Sequence, residues 1–252
     1  MQRYFVPAAT WSEQTIKIIG DDVHHIKRVM RFKVGDQIIC SHPDGHAAIC
    51  KITILDNNVV YVDIVEWLDQ NVELPVEVTI AQGLPKADKL EMIVQKGTEL
   101  GASNFIPFQA SRSVVKWDEK RQDKKLKRLS KIVKEASEQS HRNKVPMIYP
   151  NQSLSELIDL ASSYDFKVFA YEEEAKTSEY HSLSSVLKQV GEQQRIFVCI
   201  GPEGGFTEAE AVSLKDNGFQ AIRLGPRILR TETASLYALA CISYHFEEMR
   251  CN

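Results

Sequence analysis

The sequence predicts an α/β protein in which a small β-barrel precedes a domain built on a mostly parallel sheet. Two observations lead to this prediction. The region up to about residue 68 consists of short segments rich in β-branched residues, whereas strand-like apolar runs alternate with helix-length amphipathic segments after Pro75. The polar link at residues 69–75 separates the two patterns, so we place the domains at residues 1–70 and 74–252.

The first region is predicted to hold five strands and one helix. The strand segments read RYFV, TIKI, DQIIC, AAICKITIL and NVVYVDIVEW, and residues 56–58 mark a hairpin turn between the last two. A helix begins near Asp21, because Val23, Ile26 and Val29 recur at helical spacing. This pattern fits a small barrel that carries one helix.

The second region is predicted to alternate strands with helices. Its strand segments read VEVTIAQ, NFIPF, FKVFAYE, RIFVCIG and FQAIRLG. Helices are predicted at residues 87–100, in the basic segment that follows, after the capping box of Ser153 and Glu156, and over residues 231–249. Such alternation is typical of a parallel sheet with helical crossovers.

Composition narrows the functional classes. The net charge is -3, but residues 111–144 carry twelve basic against five acidic side chains, which is a local footprint for nucleic acid. The five cysteines have no disulfide or zinc spacing, and the chain shows neither a signal peptide nor a membrane-spanning run. We therefore expect a soluble cytoplasmic protein without a metal site.

The segment GPEGG, residues 201–205, lies where a strand leads into a helix. Thr207 and Glu210 form a capping box for that helix. Ligands of open parallel sheets bind beyond the carboxyl ends of the strands, and glycines allow a ligand to approach the backbone. Because the carboxylate of Glu203 would repel a phosphate, a ligand with hydroxyls or positive charge fits better. A tight turn with Glu203 pointing to water is an equally good explanation of this loop alone.

The next strand ends in a second unusual loop, LGPRILRTETA, residues 224–234. Ile228 and Leu229 are apolar in a loop, where an apolar ring would give them a partner, while Thr231 and Thr233 offer hydroxyls at a helix start. The two loops together predict a pocket for an adenosine-like ligand without phosphates. Neither loop matches the GxGxxG or Walker patterns that a nucleotide-dependent oxidoreductase or ligase would need.

Five ordered segments resemble the RsmE family of 16S ribosomal RNA methyltransferases, which act on uracil N3. They are KADKLEMIVQKGTELGASNFIPF, SRSVV, EASEQSHRNKVP, GPEGG and LGPRILRTETA, and the likeness extends to RYFV and HIKRVMR near the start. Met30 stands where we expect leucine. The resemblance implies a PUA-like barrel for RNA, a SPOUT domain with a deep trefoil knot, S-adenosylmethionine as methyl donor, and a homodimer that acts on 16S RNA or the small ribosomal subunit.

Given that resemblance, we expect the two loops and the segment after FKVFAYE to bind the donor, and two arginines with one carboxylate to serve catalysis. Arginine could stabilise the charge that spreads over uracil as N3 loses its proton. The expected donor-binding residues are Glu172, Gly201, Glu203, Gly204, Gly205, Leu224, Gly225, Ile228, Leu229, Thr231 and Thr233. The expected catalytic residues are Arg230, Arg227 and Glu232.

Several alternatives stay open at this stage. Each arginine could instead pair with Glu232 or another carboxylate, and the proton acceptor could be Glu99, Glu232 or water. The protein could methylate another ribosomal or transfer RNA nucleotide, or bind RNA without catalysis. The expected RNA-binding residues are Arg3, Arg28, Arg31, Lys33, Arg112, Lys116 and Arg142.

Overall fold

The computed structural model describes residues 1–171 and 181–249. The chain forms two compact units, one made of Met1–Glu73 with Ser137–Val145 and the other of Leu74–Ala136 with Pro146–Asn252. The first unit thus includes a short segment from the middle of the chain. Among the described residues, no helix has both the length and the apolar character required to cross a bilayer.

The first unit is a five-stranded sheet with the order β1-β3-β4-β5-β2. β1 pairs with β3 in parallel, and the other neighbours are antiparallel. Alternate residues of the strands, such as Ile16, Ile18, Val60 and Val62, fill one core, as the period of two predicts. The strands are β1 (Arg3–Phe5), β2 (Thr15–Ile19), β3 (Gln37–Ser41), β4 (Ala47–Leu55) and β5 (Val59–Leu68).

The predicted helix of the first unit is present but changes its winding. It runs as α1 from Asp21–His24 and continues as a π-helical turn over His25–Val29. Val23 and Ile26 point into the barrel core, where both are at most 3% exposed. The helix therefore closes one side of the core.

The second unit contains an eight-stranded sheet whose pairings are all parallel, which confirms the predicted sheet type. The strand order is β11-β13-β10-β12-β6-β7-β8, and β9 also pairs with β7. The strands are β6 (Glu77–Gly83), β7 (Asn104–Gln109), β8 (Met147–Ile148), β9 (Gln152–Ser153), β10 (Phe166–Ala170), β11 (His181–Ser182), β12 (Arg195–Ile200) and β13 (Gln220–Arg223).

Helices pack on this sheet around two apolar clusters, as expected for strands that are buried along nearly their whole length. The last predicted helix ends earlier than expected as a regular α-helix, because Tyr244–Glu248 is wound as a π-helix. The helices are α2 (Lys89–Glu99), α3 (Glu119–Gln139), α4 (Leu154–Ala161), α5 (Leu183–Leu187), α6 (Glu208–Asp216) and α7 (Thr231–Ser243).

The strand order positions the site. β12 lies between β10 and β6, and β13 lies on the other side of β10. Because these four strands are parallel, their carboxyl ends meet at one edge of the sheet. The segments that follow β6, β12 and β13 therefore converge there, beside the carboxyl end of β10. The trefoil knot stays a prediction, because strand pairing alone does not define how the chain threads.

Candidate active site

A cavity of about 920 Å³ lies at this carboxyl edge. We call its two main walls the glycine loop, residues 201–206 after β12, and the arginine loop, residues 224–230 after β13. Ala170 and Tyr171 at the end of β10 also line the cavity. The volume is in the range of pockets that bind a small cofactor.

The glycine loop is held by bonds to other parts of the second unit. Arg112 donates from Nη1 to the carbonyl oxygen of Gly204 at 2.9 Å. Gly205 has a φ of +64°, which a glycine adopts without strain, and its N–H donates to the carbonyl of Pro202 at 2.9 Å. Beyond the loop, the predicted capping box is present, so Thr207 begins α6 directly behind the cavity wall.

A charged cluster lies beside the glycine loop. Lys89 Nζ is 2.9 Å from Glu203 Oε1 and 3.2 Å from Glu232 Oε2, and the backbone N–H of Lys86 donates to Glu203 at 3.1 Å. Burial opposes ionisation of Glu203, but the bonds from Lys89 and the backbone outweigh it and lower its pKa. The hydrogen bonds that Lys89 donates to the carboxylates of Glu203 and Glu232 raise the pKa of Lys89. The cavity thus has an ionised carboxylate at its edge, as the loop sequence suggested.

The arginine loop is more open to solvent. Arg223 Nε donates to the carbonyl of Gly225 at 2.7 Å, which fixes the start of the loop. Ile228 is 78% exposed, and both Arg227 and Arg230 are exposed. In the described part of the chain neither of these two arginines forms an ion pair, and Glu232 bonds to Lys89 instead.

The predicted donor-binding residues are largely brought together by the fold. Thr233 is an exception, because it is exposed on α7 and is not part of the lining. Glu172 lies outside the described residues. Glu99 is bonded to Lys96 at 2.8 Å at the end of α2 and does not line the cavity. Glu232 does not line the cavity either, but its ion-pair partner Lys89 does. The predicted residues that line it are Gly201, Glu203, Gly204, Gly205, Leu224, Gly225, Arg227, Ile228, Leu229, Arg230 and Thr231.

Two of the arginines predicted to contact RNA are buried within the first unit instead. Arg142 is 4% exposed, and its guanidinium is paired with Glu73. Arg3 is 6% exposed and donates to Ser41 Oγ at 2.9 Å and to the carbonyl of Arg142 at 3.1 Å. Burial lowers the pKa of Arg3, while the nearby Glu73 opposes that shift. Both guanidinium groups are occupied inside the unit and offer no charge to a phosphate.

The other predicted RNA contacts remain on the surface. Arg28, Arg31 and Lys33 are exposed close together in sequence at the end of the small helix, and Lys116 is exposed before α3. Arg112 is exposed as well, but it bonds to the glycine loop and lines the cavity. Arg112 therefore belongs to the cavity wall and is also exposed to solvent.

Sequence reasoning missed Lys89 as a cavity residue. The rule that ligands bind at the carboxyl ends of parallel strands applies to β6 as much as to β12 and β13. Lys89 opens the helix that follows β6, so this rule, applied to every strand, would have found it. The segment between β6 and α2, residues 84–88, contains no glycine, so it does not stand out in the sequence as GPEGG does.

The residues of the cavity fit S-adenosylmethionine. Leu224 and Leu229 offer an apolar surface for an adenine ring. Lys86 and Lys89 bond to Oε1 of Glu203, so its carboxylate meets a ligand through its second oxygen, which can accept from a hydroxyl or an ammonium group. A Cβ on Gly204 would lie 2.9 Å from Arg112 Cβ, so this position has no room for a side chain. Among the described residues, no group of three or more His, Cys, Asp or Glu side chains could hold a metal ion.

Two family matches cover most of the chain. Residues 72–243 match the RNA methyltransferase domain family, and residues 18–65 match the RNA methyltransferase PUA domain family. The matches correspond to the α/β unit and to most of the five-stranded unit. They confirm the predicted PUA-like and methyltransferase parts of the fold.

Two relatives from different organisms are similar to this chain over most of its length. Ribosomal RNA small subunit methyltransferase E of Bacillus subtilis (strain 168) is 48% identical and covers 99% of both chains, and that of Mycobacterium bovis is 32% identical over 88% of this chain and 84% of its own.

Two solved structures with S-adenosylmethionine bound are also similar over almost the whole chain. A Neisseria gonorrhoeae methyltransferase E has 30% identity, 98% coverage of both chains and a TM-score of 0.87. A Legionella pneumophila methyltransferase described as putative has 27% identity, 96% coverage of this chain and 97% of its own, and a TM-score of 0.84. The chain belongs to the ribosomal RNA small subunit methyltransferase E family.

Proposed function

We propose that this protein transfers a methyl group from S-adenosylmethionine to N3 of a uridine in the 16S RNA of the small ribosomal subunit. The observation that supports this most directly is the cavity between the glycine and arginine loops, which has apolar walls, an anionic edge and two exposed arginines. Its chemistry matches a cationic nucleoside without phosphates. S-adenosylmethionine, when bound, supplies an electrophilic methyl group on a cationic sulfur.

The chain's own residues then have separable roles. We propose that the glycine loop and the apolar side chains of Leu224, Ile228 and Leu229 bind and orient the donor. Negative charge spreads onto the uracil oxygens as N3 loses its proton, and Arg230, supported by Arg227, stabilises that charge. Arg230→Ala is therefore expected to lower kcat while the donor Kd stays unchanged.

The position of Glu232 supports it as the proton acceptor. Glu232 is 8% exposed at the start of α7 and is held by Lys89, which lines the cavity. We propose that Glu232 accepts the N3 proton and that Lys89 keeps its carboxylate in place. Glu99 is less suitable, because it bonds to Lys96 away from the cavity.

The reaction is tested by mass spectrometry of ribosomal RNA nucleosides from cells with and without this protein. We expect 3-methyluridine in 16S RNA to disappear when the gene is deleted and to return with the wild-type protein. An Arg230→Ala protein expressed at the same level serves as the inactive control. Persistence of 3-methyluridine in the deletion strain would contradict the proposed product.

Donor binding is tested by isothermal titration with Gly204→Arg. The added side chain would collide with Arg112 and place positive charge beside a cationic ligand, so we expect no measurable binding. Gly191→Arg is the matched control, because a Cβ at Gly191 would meet only the side chain of Gln194, at 3.5 Å from Oε1 and 3.8 Å from Cδ, which are ordinary contacts. Equal donor affinity in both variants would refute the proposed site.

We propose that the five-stranded unit binds the RNA through Arg28, Arg31 and Lys33, and that Lys116 of the second unit also binds RNA. Each phosphate contact releases counterions, so Arg28→Ala should reduce the slope of log K against log salt by about one. Lys51→Ala, an exposed lysine on β4, is the control and should leave the slope unchanged. An unaltered slope for Arg28→Ala would count against the contact.

We also propose that the protein is a cytoplasmic homodimer. Tyr237 and Tyr244 are 38% and 59% exposed, and their spacing of seven residues puts both on one side of the last helix, where a second chain could cover them. Light scattering after gel filtration should give twice the 28.6 kDa chain mass. Fractionation should recover the protein with ribosomal subunits in the cytoplasm.

A further inference from the structure

The side chain of Gln82 is buried at the carboxyl end of β6, where it is 1% exposed. It does not line the cavity, but two of the residues to which it bonds, Gly201 and Thr231, do. Its Nε2 donates to Thr231 Oγ1 at 2.8 Å, to the carbonyl of Gly83 at 2.9 Å and to the carbonyl of Gly201 at 3.4 Å. Its Oε1 accepts from Ser235 Oγ at 2.5 Å.

These bonds connect the glycine loop to α7. Thr231 is the first residue of α7, and its hydroxyl donates to the carbonyl of Gly201 at 2.6 Å. Gly201 is the first residue of the glycine loop. Gln82 therefore bonds to the first residue of one wall of the cavity and to the residue that directly follows the other wall.

The network fixes a single arrangement. A buried amide whose oxygen and nitrogen both have partners cannot be turned over without leaving several polar groups unpaired. An apolar side chain in its place would leave the buried Gly201 and Thr231 oxygens with fewer donors and Ser235 without its short bond. The spacing of the two walls thus depends on a residue outside both.

We propose that Gln82 is a positioning residue for the methyl-donor site, holding the glycine loop against the start of α7 at the separation that the donor requires. This inference rests on the proposed function, because it concerns how the same cavity binds S-adenosylmethionine. Under this proposal, Gln82 contributes to donor affinity without contacting the donor. This role also explains why the amide side chain of Gln82 is buried at the end of β6.

The test compares Gln82→Met with Thr79→Val by isothermal titration with S-adenosylmethionine and by urea unfolding. Thr79 is the matched control, because it lies on β6 three residues earlier, on the opposite face of the strand, and forms a buried bond to Tyr164 Oη at 2.8 Å. We expect Gln82→Met to raise the donor Kd about tenfold or more, and Thr79→Val to lower stability while leaving the donor Kd within about twofold. The KM for RNA should stay unchanged in both variants.

A further variant keeps the test decisive if Gln82→Met does not fold. Ser235 is fully buried, does not line the cavity and donates to Gln82 Oε1, so Ser235→Ala removes a partner of Gln82 without touching the donor and should weaken donor binding. The inference is overturned if folded Gln82→Met binds the donor as wild type does, if Thr79→Val weakens binding equally, or if Ser235→Ala binds the donor as wild type does. A wild-type protein that fails to bind S-adenosylmethionine would contradict the proposed function itself, and this inference with it.

Discussion

The two walls of the cavity are built in different ways. The glycine loop is bonded to four other segments, through Gln82, Lys89, Arg112 and Thr231. Its own turn is closed by a bond from Gly205. The arginine loop accepts a bond from Arg223, the last residue of β13, at the carbonyl of Gly225 and then exposes its central side chains. One wall is therefore held in place before any ligand arrives, and the other still has apolar surface to bury.

Because of this difference, substitutions in the two walls should have different effects on the free energy of unfolding and on donor affinity. A substitution in or beneath the glycine loop should disturb packing and bonds that exist without the ligand, so it should lower both the free energy of unfolding and donor affinity. A substitution at the exposed part of the arginine loop removes little from the folded state and should change affinity alone. Three variants, in order of their expected effect on stability, test this distinction.

The largest effect is expected for Gly83→Ala, beneath the glycine loop. A Cβ on Gly83 would lie 2.6 Å from Cδ and 2.7 Å from the backbone nitrogen of Pro202, so the loop would have to shift. We expect the free energy of unfolding in urea to fall by about 1–3 kcal/mol, the usual cost of overpacking, together with weaker donor binding. Gly191→Ala is the control, and a stable Gly83→Ala protein would show that the loop is not rigidly packed.

A smaller effect is expected for Glu210→Gln, at the start of the helix behind the glycine loop. Glu210 accepts from the backbone N–H groups of Ser111 and Thr207, both at 2.8 Å. Burial raises its pKa, but these bonds outweigh burial and lower the pKa below its ordinary value of 4.5. Loss of the charged acceptor should cost about 1 kcal/mol at neutral pH, as other helix caps do.

The lowered pKa of Glu210 also predicts how the effect of Glu210→Gln on stability changes with pH. Because the pKa of Glu210 is lower in the folded than in the unfolded protein, its stabilisation is present above pH 4.5 and is lost as the pH falls through the folded value. Urea unfolding should therefore show the difference between Glu210→Gln and wild type shrinking below pH 4.5. Glu208→Gln, an exposed position in the same turn, should show little difference at any pH. A difference that persists in acid would point to packing and not to charge.

Local patterns in the sequence predicted the framework of this fold well. The capping boxes at Ser153 and Thr207 are both present, because each depends only on a residue three positions later. The long strands were also predicted, since their apolar runs are continuous. The two-residue strands β8, β9 and β11 were not, because so short a segment carries no period to detect.

Bond partners that lie far apart in the sequence could not be predicted. Arg142 looked like a loop arginine available to RNA, but its carboxylate partner, Glu73, lies 69 residues earlier. Gln82 looked like an ordinary strand residue, and its partner Thr231 is 149 residues away. The charge and polarity of these residues were visible in the sequence, whereas their partners are defined only by the fold.

The smallest effect on stability is expected for Ile228→Ser, in the arginine loop. Ile228 is 78% exposed, so its replacement should change the free energy of unfolding by no more than about 0.5 kcal/mol. If the donor covers this side chain, titration should show a Kd several-fold higher, because apolar surface that binding would bury has been removed. Val212→Ser on α6, 51% exposed and outside the cavity lining, is the control and should leave the Kd unchanged. A destabilised Ile228→Ser protein would mean that the arginine loop is as firmly packed as the glycine loop, which would remove the contrast between the two walls.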